Sequence, residues 1–228
     1  MLIAGIQKTT LIDYPGKVAA TLFLFGCNFR CSFCHNPELV GELKEKLISE
    51  NEILGLLEDR KEFLDGVCIT GGEPTIQKDL PDLIRKIKKI GLSIKLDSNG
   101  TNPEMLKDLI NENLLDFIAM DIKTGYSKYH KLTNTKIDME RIKKSIKIII
   151  NSKIDYEFRT TVIPGFCEKE DIKEIKELIK GAKKYYLQKF IPNKTLDPKF
   201  IEKTPLTEKE MEDLKDSIKD NFEICEVR

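Results

Sequence analysis

The chain has 228 residues, of which 40% are hydrophobic and 33% are charged, so it contains enough apolar material for one sizeable core. Lysine plus arginine and aspartate plus glutamate number 38 each, which excludes an overall field that recruits nucleic acid or an anionic membrane. The start at Met1 has neither a basic leader nor a long apolar stretch, and no later window could span a bilayer, which predicts a cytoplasmic protein.

From Val18 onward, short apolar runs rich in β-branched residues alternate with segments that have helical spacing. The runs that predict strands are residues 19–25, 67–70, 92–96, 117–120, 156–162 and 185–190. Ser49 with Glu52, and Thr207 with Glu210, have the spacing of capping boxes at two helix starts. The alternation predicts a single α/β domain over residues 1–228, with a core of about 18–190 and a carboxy-terminal extension of about 191–228.

Two stretches fit neither pattern. Residues 124–136 form a polar loop after the fourth predicted strand, and residues 191–205 contain three prolines and no clear period. Long loops in a compact domain are often lids or binding segments, and ordinary connectors are the alternative. His130, in the first of these loops, is either an exposed bystander or a contact for a target peptide.

Three cysteines lie within eight residues, in the run Gly26-Cys-Asn-Phe-Arg-Cys-Ser-Phe-Cys-His-Asn36. A [4Fe-4S] cluster takes four thiolates, so Cys27, Cys31 and Cys34 would leave one iron open to a ligand that is not protein. A structural zinc site is the alternative, but it needs four ligands, and no second pair of cysteines or histidines is present. The remaining cysteines stand alone in the sequence: Cys68, Cys167 and Cys225.

Chemically unusual residues follow the predicted strands. They are Cys27, Gly71-Gly-Glu73, Asp97-Ser-Asn-Gly100, Asp121-Ile-Lys123 and Pro164-Gly165. In a right-handed βα barrel the carboxyl ends of the strands share one face, so these elements would converge on one pocket. Gly71 and Gly72 would let the backbone approach a ligand, and Glu73 would supply a carboxylate for an ammonium group. Plain turns are the alternative for each of these runs.

The spacing C-x3-C-x2-C, with Phe33 before the last cysteine, resembles the cluster loop of the radical S-adenosylmethionine (SAM) superfamily. The run Asp13-Tyr-Pro-Gly-Lys17 and the segment from Phe25 to Glu38 resemble the glycyl-radical-enzyme activating enzymes. Within those, the chain is most similar to the group of anaerobic ribonucleoside-triphosphate reductase activating proteins. The resemblance extends from Asp13 to about Phe190 and implies a partial (β/α)6 TIM-like barrel with a carboxy-terminal extension.

The resemblance also implies roles for individual residues. Cys27, Cys31 and Cys34 would hold the 4Fe-4S cluster. The implied SAM-binding residues are Phe33, Gly71, Gly72, Glu73, Asp97, Ser98, Asn99, Lys123, Arg159, Val162 and Gln188. The candidate ligands of a monovalent cation are Asp97, Ser98, Met120 and Asp121. Glu73 would hold the amino group of the methionine moiety, and Val162 and Gln188 would lie near the adenine. Arg159 would either project toward the site or pair with a structural carboxylate.

The activity implied by the resemblance is reductive cleavage of SAM to a 5′-deoxyadenosyl radical, which takes hydrogen from a glycine of a partner such as anaerobic ribonucleotide reductase. Ferredoxin or flavodoxin would supply the electron, under anaerobic conditions. One alternative is a radical SAM enzyme that acts on a small molecule, similar to 7-carboxy-7-deazaguanine synthase, which needs a closed polar pocket. The other is a non-catalytic iron–sulfur electron carrier, which would prefer four cysteines.

Overall fold

The computed structural model describes residues 1–43 and 46–228. The strands are β1 (Ile3–Thr10), β2 (Ala19–Leu24), β3 (Gly66–Gly71), β4 (Ser93–Ser98), β5 (Phe117–Asp121), β6 (Asp155–Val162), β7 (Lys184–Lys189) and β8 (Ile224–Val227). They form one sheet in chain order, in which β1 is antiparallel to β2 and every later pair is parallel. Because β1 and β8 are the two edges, the sheet is an open partial barrel, and the predicted fold class is confirmed.

The helices are α1 (Glu50–Arg60), α2 (Leu80–Ile90), α3 (Pro103–Asn111), α4 (Tyr129–Thr133), α5 (Met139–Ile150), α6 (Lys169–Leu178) and α7 (Glu208–Asp216). Both predicted capping boxes are confirmed: Ser49 Oγ accepts from Glu52 N at 3.2 Å, and Thr207 Oγ1 accepts from Glu210 N at 3.3 Å. Among the described residues, no helix has both the length and the apolar character needed to cross a bilayer.

The six predicted strands correspond to β2 through β7, with boundaries that differ by one or two residues. The prediction missed both edges of the sheet. Residues Ile3–Thr10 form β1, although their side chains follow no clear alternation, and the four residues Ile224–Val227 form β8 within the expected extension. The predicted loop 124–136 also contains the short helix α4, which its polar sequence does not indicate.

Side chains on the central strands alternate between the helix-covered face of the sheet and its inner face. On β4, Ile94 and Leu96 are fully buried in the main apolar cluster, which also contains the apolar face of α2. Lys95 and Asp97 alternate with them and therefore lie on the inner face of the sheet. Glu157 and Arg159 are likewise two residues apart on β6. The inner face of the barrel thus carries charged residues, while its outer face packs against helices.

Candidate active site

Three cysteine side chains line one cavity at the carboxyl ends of the central strands. Cys27, Cys31 and Cys34 lie on the loop after β2, where Cys34 N donates to Cys31 O at 3.0 Å. Gly26 N donates to Leu39 O at 2.8 Å and closes the base of this cysteine loop, residues 26–39. The predicted cluster ligands are therefore brought together on one side of the cavity.

The two long loops that fit no pattern in the sequence hold the cysteine loop on both sides. From the loop after β5, Thr133 O accepts a hydrogen bond from Arg30 N at 2.9 Å. From the loop after β7, Asp197 N donates to Ser32 O at 2.9 Å. These contacts favour the interpretation of both loops as parts of the site over that of ordinary connectors.

Burial makes ionisation of the three thiols costly. It raises the pKa of Cys27 to about 11 and that of Cys31 to about 12, and it also raises the pKa of Cys34. A thiolate in such surroundings needs a metal to stabilise its charge. Within residues 1–43 and 46–228, no three His, Cys, Asp or Glu side chains are arranged to hold a single metal ion. Three thiols are one short of the four ligands that a structural zinc ion takes, whereas a 4Fe-4S cluster held by three thiolates leaves one iron open.

Gly71 and Gly72 let β3 pack closely against the base of the cysteine loop. Gly71 has a φ of +112°, and a Cβ atom there would lie 2.5 Å from Leu24 N. A Cβ atom on Gly72 would lie 1.9 Å from Gly26 O. Both glycines line the cavity, but the space left by their missing side chains is filled by neighbouring backbone. Close packing of the chain therefore requires glycine here whether or not a ligand also approaches.

Glu73 joins the carboxyl ends of β3 and β4. It is only 1% exposed, and its Oε1 accepts hydrogen bonds from Thr75 N at 3.1 Å and Ser98 Oγ at 2.9 Å. Its Oε2 accepts from Asn99 N at 2.6 Å. Burial raises the pKa of Glu73, although these hydrogen bonds act in the opposite direction. The carboxylate predicted to bind an ammonium group is thus fixed in the wall of the cavity.

A chain of ion pairs lies beside Glu73 on the inner face of the sheet. Arg159 Nη2 is 2.9 Å from Asp121 Oδ1 and 3.3 Å from Asp97 Oδ2. Lys123 Nζ is 2.9 Å from Asp121 Oδ2, and Lys95 Nζ pairs with Asp97 Oδ1. Burial alone would raise the pKa of Asp121, but Arg159 and Lys123 outweigh it and hold that pKa well below its usual range.

These pairs bear on two expectations from the sequence. Of the two roles considered for Arg159, the structure shows pairing with carboxylates. Every carboxylate oxygen of Asp97 and Asp121 already contacts a cationic nitrogen. Met120 is fully buried, and its Cε would lie 2.0 Å from a Cβ atom on Gly100. The arrangement therefore does not fit a monovalent cation at the predicted ligands.

The remaining predicted side chains are distributed unevenly. Phe33 lines the cavity, and Lys123 Nζ lies 5.9 Å from the centre of its ring. Val162 is 1% exposed and packs in the core. Gln188 lines a separate cavity with Glu157.

The sequence left the roles of four further residues open. Cys68 and Cys167 are buried, and Cys225 is partly buried on β8. The imidazole of His130 accepts a hydrogen bond from Ile137 N at 3.0 Å.

The sequence prediction missed several residues near the site, of which two are instructive. Thr161 lines the cavity, and its spacing of two from Arg159 on the same strand could have indicated that it shares the inner face. Asn28, within the cysteine run, accepts from Asn99 Nδ2 at 2.8 Å. No local signal predicts this second contact, because it depends on the approach of two loops that follow different strands.

Comparison with known proteins identifies the family. The sequence profile of the Radical SAM superfamily matches residues 21–180. The chain is 37% identical over 218 residues to the "Putative glycyl-radical enzyme activating enzyme MJ1227" of Methanocaldococcus jannaschii, which covers 93% of this chain and 90% of the relative. It is 26% identical to the pyruvate formate-lyase-activating enzyme of Clostridium pasteurianum, over 90% of this chain and 87% of the relative.

Among solved structures, Streptococcus suis SuiB bound to S-adenosylmethionine has a TM-score of 0.68 at 15% identity, covering 88% of this chain and 48% of that one. A likeness at this low identity shows a shared fold. The profile match covers most of the chain, and the archaeal relative is similar along nearly its whole length. The chain is therefore a radical SAM enzyme and belongs, within that superfamily, to the family of the glycyl-radical enzyme activating enzymes.

Proposed function

We propose that this enzyme activates a glycyl-radical enzyme by generating a radical that removes a hydrogen atom from a glycine of that partner. The observation that carries the proposal is the convergence of Cys27, Cys31, Cys34 and Glu73 on one cavity. It is supported by the likeness to an activating-enzyme relative over most of both chains. A non-catalytic electron carrier would not require a buried carboxylate fixed beside three cysteines.

In this proposal the three thiols hold a 4Fe-4S cluster and leave one iron open for SAM. Glu73 Oε2 accepts one hydrogen bond, from Asn99 N, and is therefore available to accept another from the methionine ammonium group. Lys123 and Phe33 line the same cavity and would bind the carboxylate and pack against the cofactor. Asp97, Ser98 and Asn99 line the same cavity at the carboxyl end of β4 and would contact the ribose.

Three of the expected cofactor contacts need revision. The side chain of Val162 is buried in the core, so we assign it a contact with the adenine only through its backbone. Gln188 and Arg159 line the second cavity instead, so we leave Gln188 out of the site and assign Arg159 the positioning of Asp97 and Asp121. We propose no monovalent cation.

When bound, the reduced cluster supplies one electron to the sulfonium of SAM, giving methionine and a 5′-deoxyadenosyl radical that takes the glycine hydrogen. The residues of the chain itself bind and orient SAM and shield it from water. Glu73 and Lys123 hold fixed charges at the cavity, which costs little reorganisation when a charged ligand binds. Phe33 is 5% exposed and excludes water from the same region. No side chain has to transfer a proton in this step.

The proposed partner is a glycyl-radical enzyme, with anaerobic ribonucleotide reductase as the first candidate and ferredoxin or flavodoxin as the reductant. The test is to reconstitute the cluster anaerobically, reduce it with dithionite, and add SAM with purified anaerobic ribonucleotide reductase or pyruvate formate-lyase. We expect a glycyl-radical signal in the electron paramagnetic resonance spectrum of one partner. Deuterium placed on the α-carbon of the partner's glycine should appear in the 5′-deoxyadenosine formed.

Each competing activity gives a different result in this experiment. Turnover of a deazaguanine precursor, with no glycyl radical in either partner, would contradict the activase and support a small-molecule enzyme. A reducible cluster that never cleaves SAM would support an electron carrier. Cys68→Ala serves as the matched control for Cys31→Ala, because Cys68 lies outside the cavity and should leave SAM cleavage intact.

A further inference from the structure

Lysine outnumbers aspartate and glutamate on two loops at the carboxyl end of the barrel, although the chain as a whole is neutral. Residues 122–137, which follow β5, contain four lysines and no aspartate or glutamate. Residues 190–206, which follow β7, contain three lysines and two acidic residues. Because both segments follow strands of a parallel sheet, they lie at the same end of the barrel. That end also contains the cysteine loop.

Lysines from both loops meet at one aromatic residue in the turn after β6. Lys131 Nζ lies 5.7 Å from the centre of the Phe166 ring, and Lys203 Nζ lies 5.9 Å from it. Lys203 Nζ also donates to Pro164 O at 3.1 Å, and Phe166 stacks on Phe200 at 6.1 Å between centroids. An aromatic face fixes the position of an ammonium group without neutralising its charge.

A third lysine joins this group, which we call the lysine rim: Lys128, Lys131 and Lys203. Lys128 Nζ donates to Gly165 O at 3.2 Å and pairs with Asp171 at 2.7 Å. Neither Lys131 nor Lys203 has a carboxylate within ion-pair distance in the part of the chain that the structure describes. Lys131 and Lys203 therefore carry positive charge without an ion-pair partner among the described residues, whereas Lys128 is paired with Asp171.

Exposed apolar side chains accompany the rim. Tyr126 is 59% exposed on the loop after β5, and Ile201 is 45% exposed on the loop after β7. Exposed aromatic side chains are enriched in surfaces that bind protein, and the rim of such a surface is polar. A small anion would instead need several donors that converge on one enclosed point.

We propose that the lysine rim docks an acidic segment of the partner protein beside the glycine that enters the cavity. The inference rests on the proposed function, because it concerns the protein substrate of that same site. Carboxylates of the partner would supply the negative counter-charge that Lys131 and Lys203 do not find among the described residues of this chain. Complementary charge of this kind speeds association and sets the orientation of the partner more than it adds affinity.

The test uses the full chain and two synthetic peptides of equal length with a central glycine. One peptide has Asp and Glu at the flanking positions, and the other has Lys and Arg there. Binding of each peptide is measured by fluorescence anisotropy at low and high salt. We expect the acidic peptide to bind more tightly, with an affinity that falls as salt rises, and Lys131→Glu with Lys203→Glu to weaken its binding at least about tenfold.

Lys107→Glu with Lys153→Glu is the control, since it changes the net charge equally at exposed lysines on α3 and before β6. It should bind the acidic peptide like the unmodified protein. Lys131→Glu alone tests the charge without removing the hydrogen bond from Lys203 Nζ to Pro164 O. Lys131→Arg with Lys203→Arg keeps the positive charge and should retain binding. Thermal unfolding confirms that each variant is folded.

Equal binding of both peptides, or an equal loss in the control pair, would overturn the docking proposal. SAM cleavage without peptide is measured in parallel and reports on the proposed function alone. An enzyme that cleaves SAM but does not distinguish the peptides contradicts only the lysine rim. Selective peptide binding by a protein that cannot cleave SAM supports the rim and contradicts the activase.

Discussion

The backbone N–H of Asn99 donates to Glu73 Oε2 at 2.6 Å, and this bond joins the loops after β3 and β4. Ser98 Oγ donates to the other carboxylate oxygen at 2.9 Å. Both oxygens of a nearly inaccessible carboxylate are thus oriented by groups on the neighbouring strand. A charged ligand that binds here meets an anion whose position is already fixed, so little side-chain entropy is lost on binding.

Glu73→Gln should weaken both the fold and the binding of SAM. The substitution keeps the size of the side chain but replaces one carboxylate oxygen with an NH2 group, which cannot accept a hydrogen bond. That NH2 group would face either Asn99 N–H or the donors Ser98 Oγ–H and Thr75 N–H. We expect the free energy of unfolding to fall by about 1–3 kcal/mol because a buried donor loses its partner. We expect SAM affinity to fall at least about tenfold, because the charge that pairs with ammonium is lost.

Urea unfolding and equilibrium dialysis with labelled SAM measure these two effects. Glu52→Gln is the matched control, because Glu52 is an exposed capping-box residue and glutamine also fits that position. Its SAM affinity should equal that of the unmodified protein. Unchanged SAM binding by Glu73→Gln would contradict the role proposed for Glu73.

Gly72→Ala should destabilise the base of the cysteine loop. The new Cβ atom would lie 1.9 Å from Gly26 O, so the backbone of two neighbouring segments must separate. Overpacking of this kind costs about 1–3 kcal/mol, and the displaced loop should also retain less iron after reconstitution. Thermal unfolding of the apoprotein and iron analysis of the reconstituted protein test the two parts separately.

Gly55→Ala provides the control for this substitution. Gly55 lies within α1, and a Cβ atom there would contact nothing within 4 Å. Alanine is favoured over glycine in a helix by about 1 kcal/mol, so this variant should be more stable and should bind iron normally. A Gly72→Ala protein that is as stable as Gly55→Ala would show that the cysteine loop tolerates the displacement.

The features that could be predicted from the sequence are those determined by short-range patterns. The capping box at Ser49 involves residues three apart, and the strands β2 to β7 are buried runs with strong β preference. The antiparallel strand β1 was missed because its residues include Gly5 and a polar stretch, and it pairs at an edge. Edge strands need only one buried face, which weakens their pattern.

The candidate site divides in the same way. The spacing of Cys27, Cys31 and Cys34 and their place after a strand could be recognised directly, and they line one cavity. The partners of Arg159 could not be predicted, since Asp97 and Asp121 lie on other strands and their distances depend on barrel curvature. Strand alternation alone assigns a residue to a face of the sheet but not to a neighbour.

Asp121→Asn should be destabilising at neutral pH and less so in acid. The substitution leaves Arg159 and Lys123 without the carboxylate that accepts from both at 2.9 Å. The Asp121 side chain is 30% exposed and its two partners less so, so we expect its removal to cost about 1–3 kcal/mol, less than for a fully buried pair. The pKa of Asp121 is lowered from its ordinary value of 3.8 in the folded protein.

A lowered pKa means that the pairs stabilise the fold fully above the unfolded value and progressively less as the pH falls below it. The difference in unfolding free energy between the unmodified protein and Asp121→Asn should therefore be constant from about pH 7 to about pH 5 and shrink below about pH 4. Urea titrations across this range measure it. A difference that grows as the pH falls would contradict the assigned direction of the shift.

Cys31→Ala should abolish cluster assembly, whereas Cys68→Ala should not. Cys31 lies in the cysteine loop and lines the cavity, but Cys68 is fully buried on β3 outside it. With two thiolates instead of three, the loop can no longer hold the corners of an iron–sulfur cube, so iron content and the charge-transfer absorption should both be lost.

The two variants also distinguish a lost ligand from a lost fold. Cys68→Ala removes a buried sulfur from the core and should lower stability by about 1 kcal/mol while it retains iron. Cys31 is 7% exposed at the cavity, so its replacement should affect the fold no more than this. If Cys31→Ala still assembled a cluster that cleaves SAM, the assignment of Cys31 as an iron ligand would be contradicted. If both variants lost iron equally, the loss would reflect folding rather than coordination.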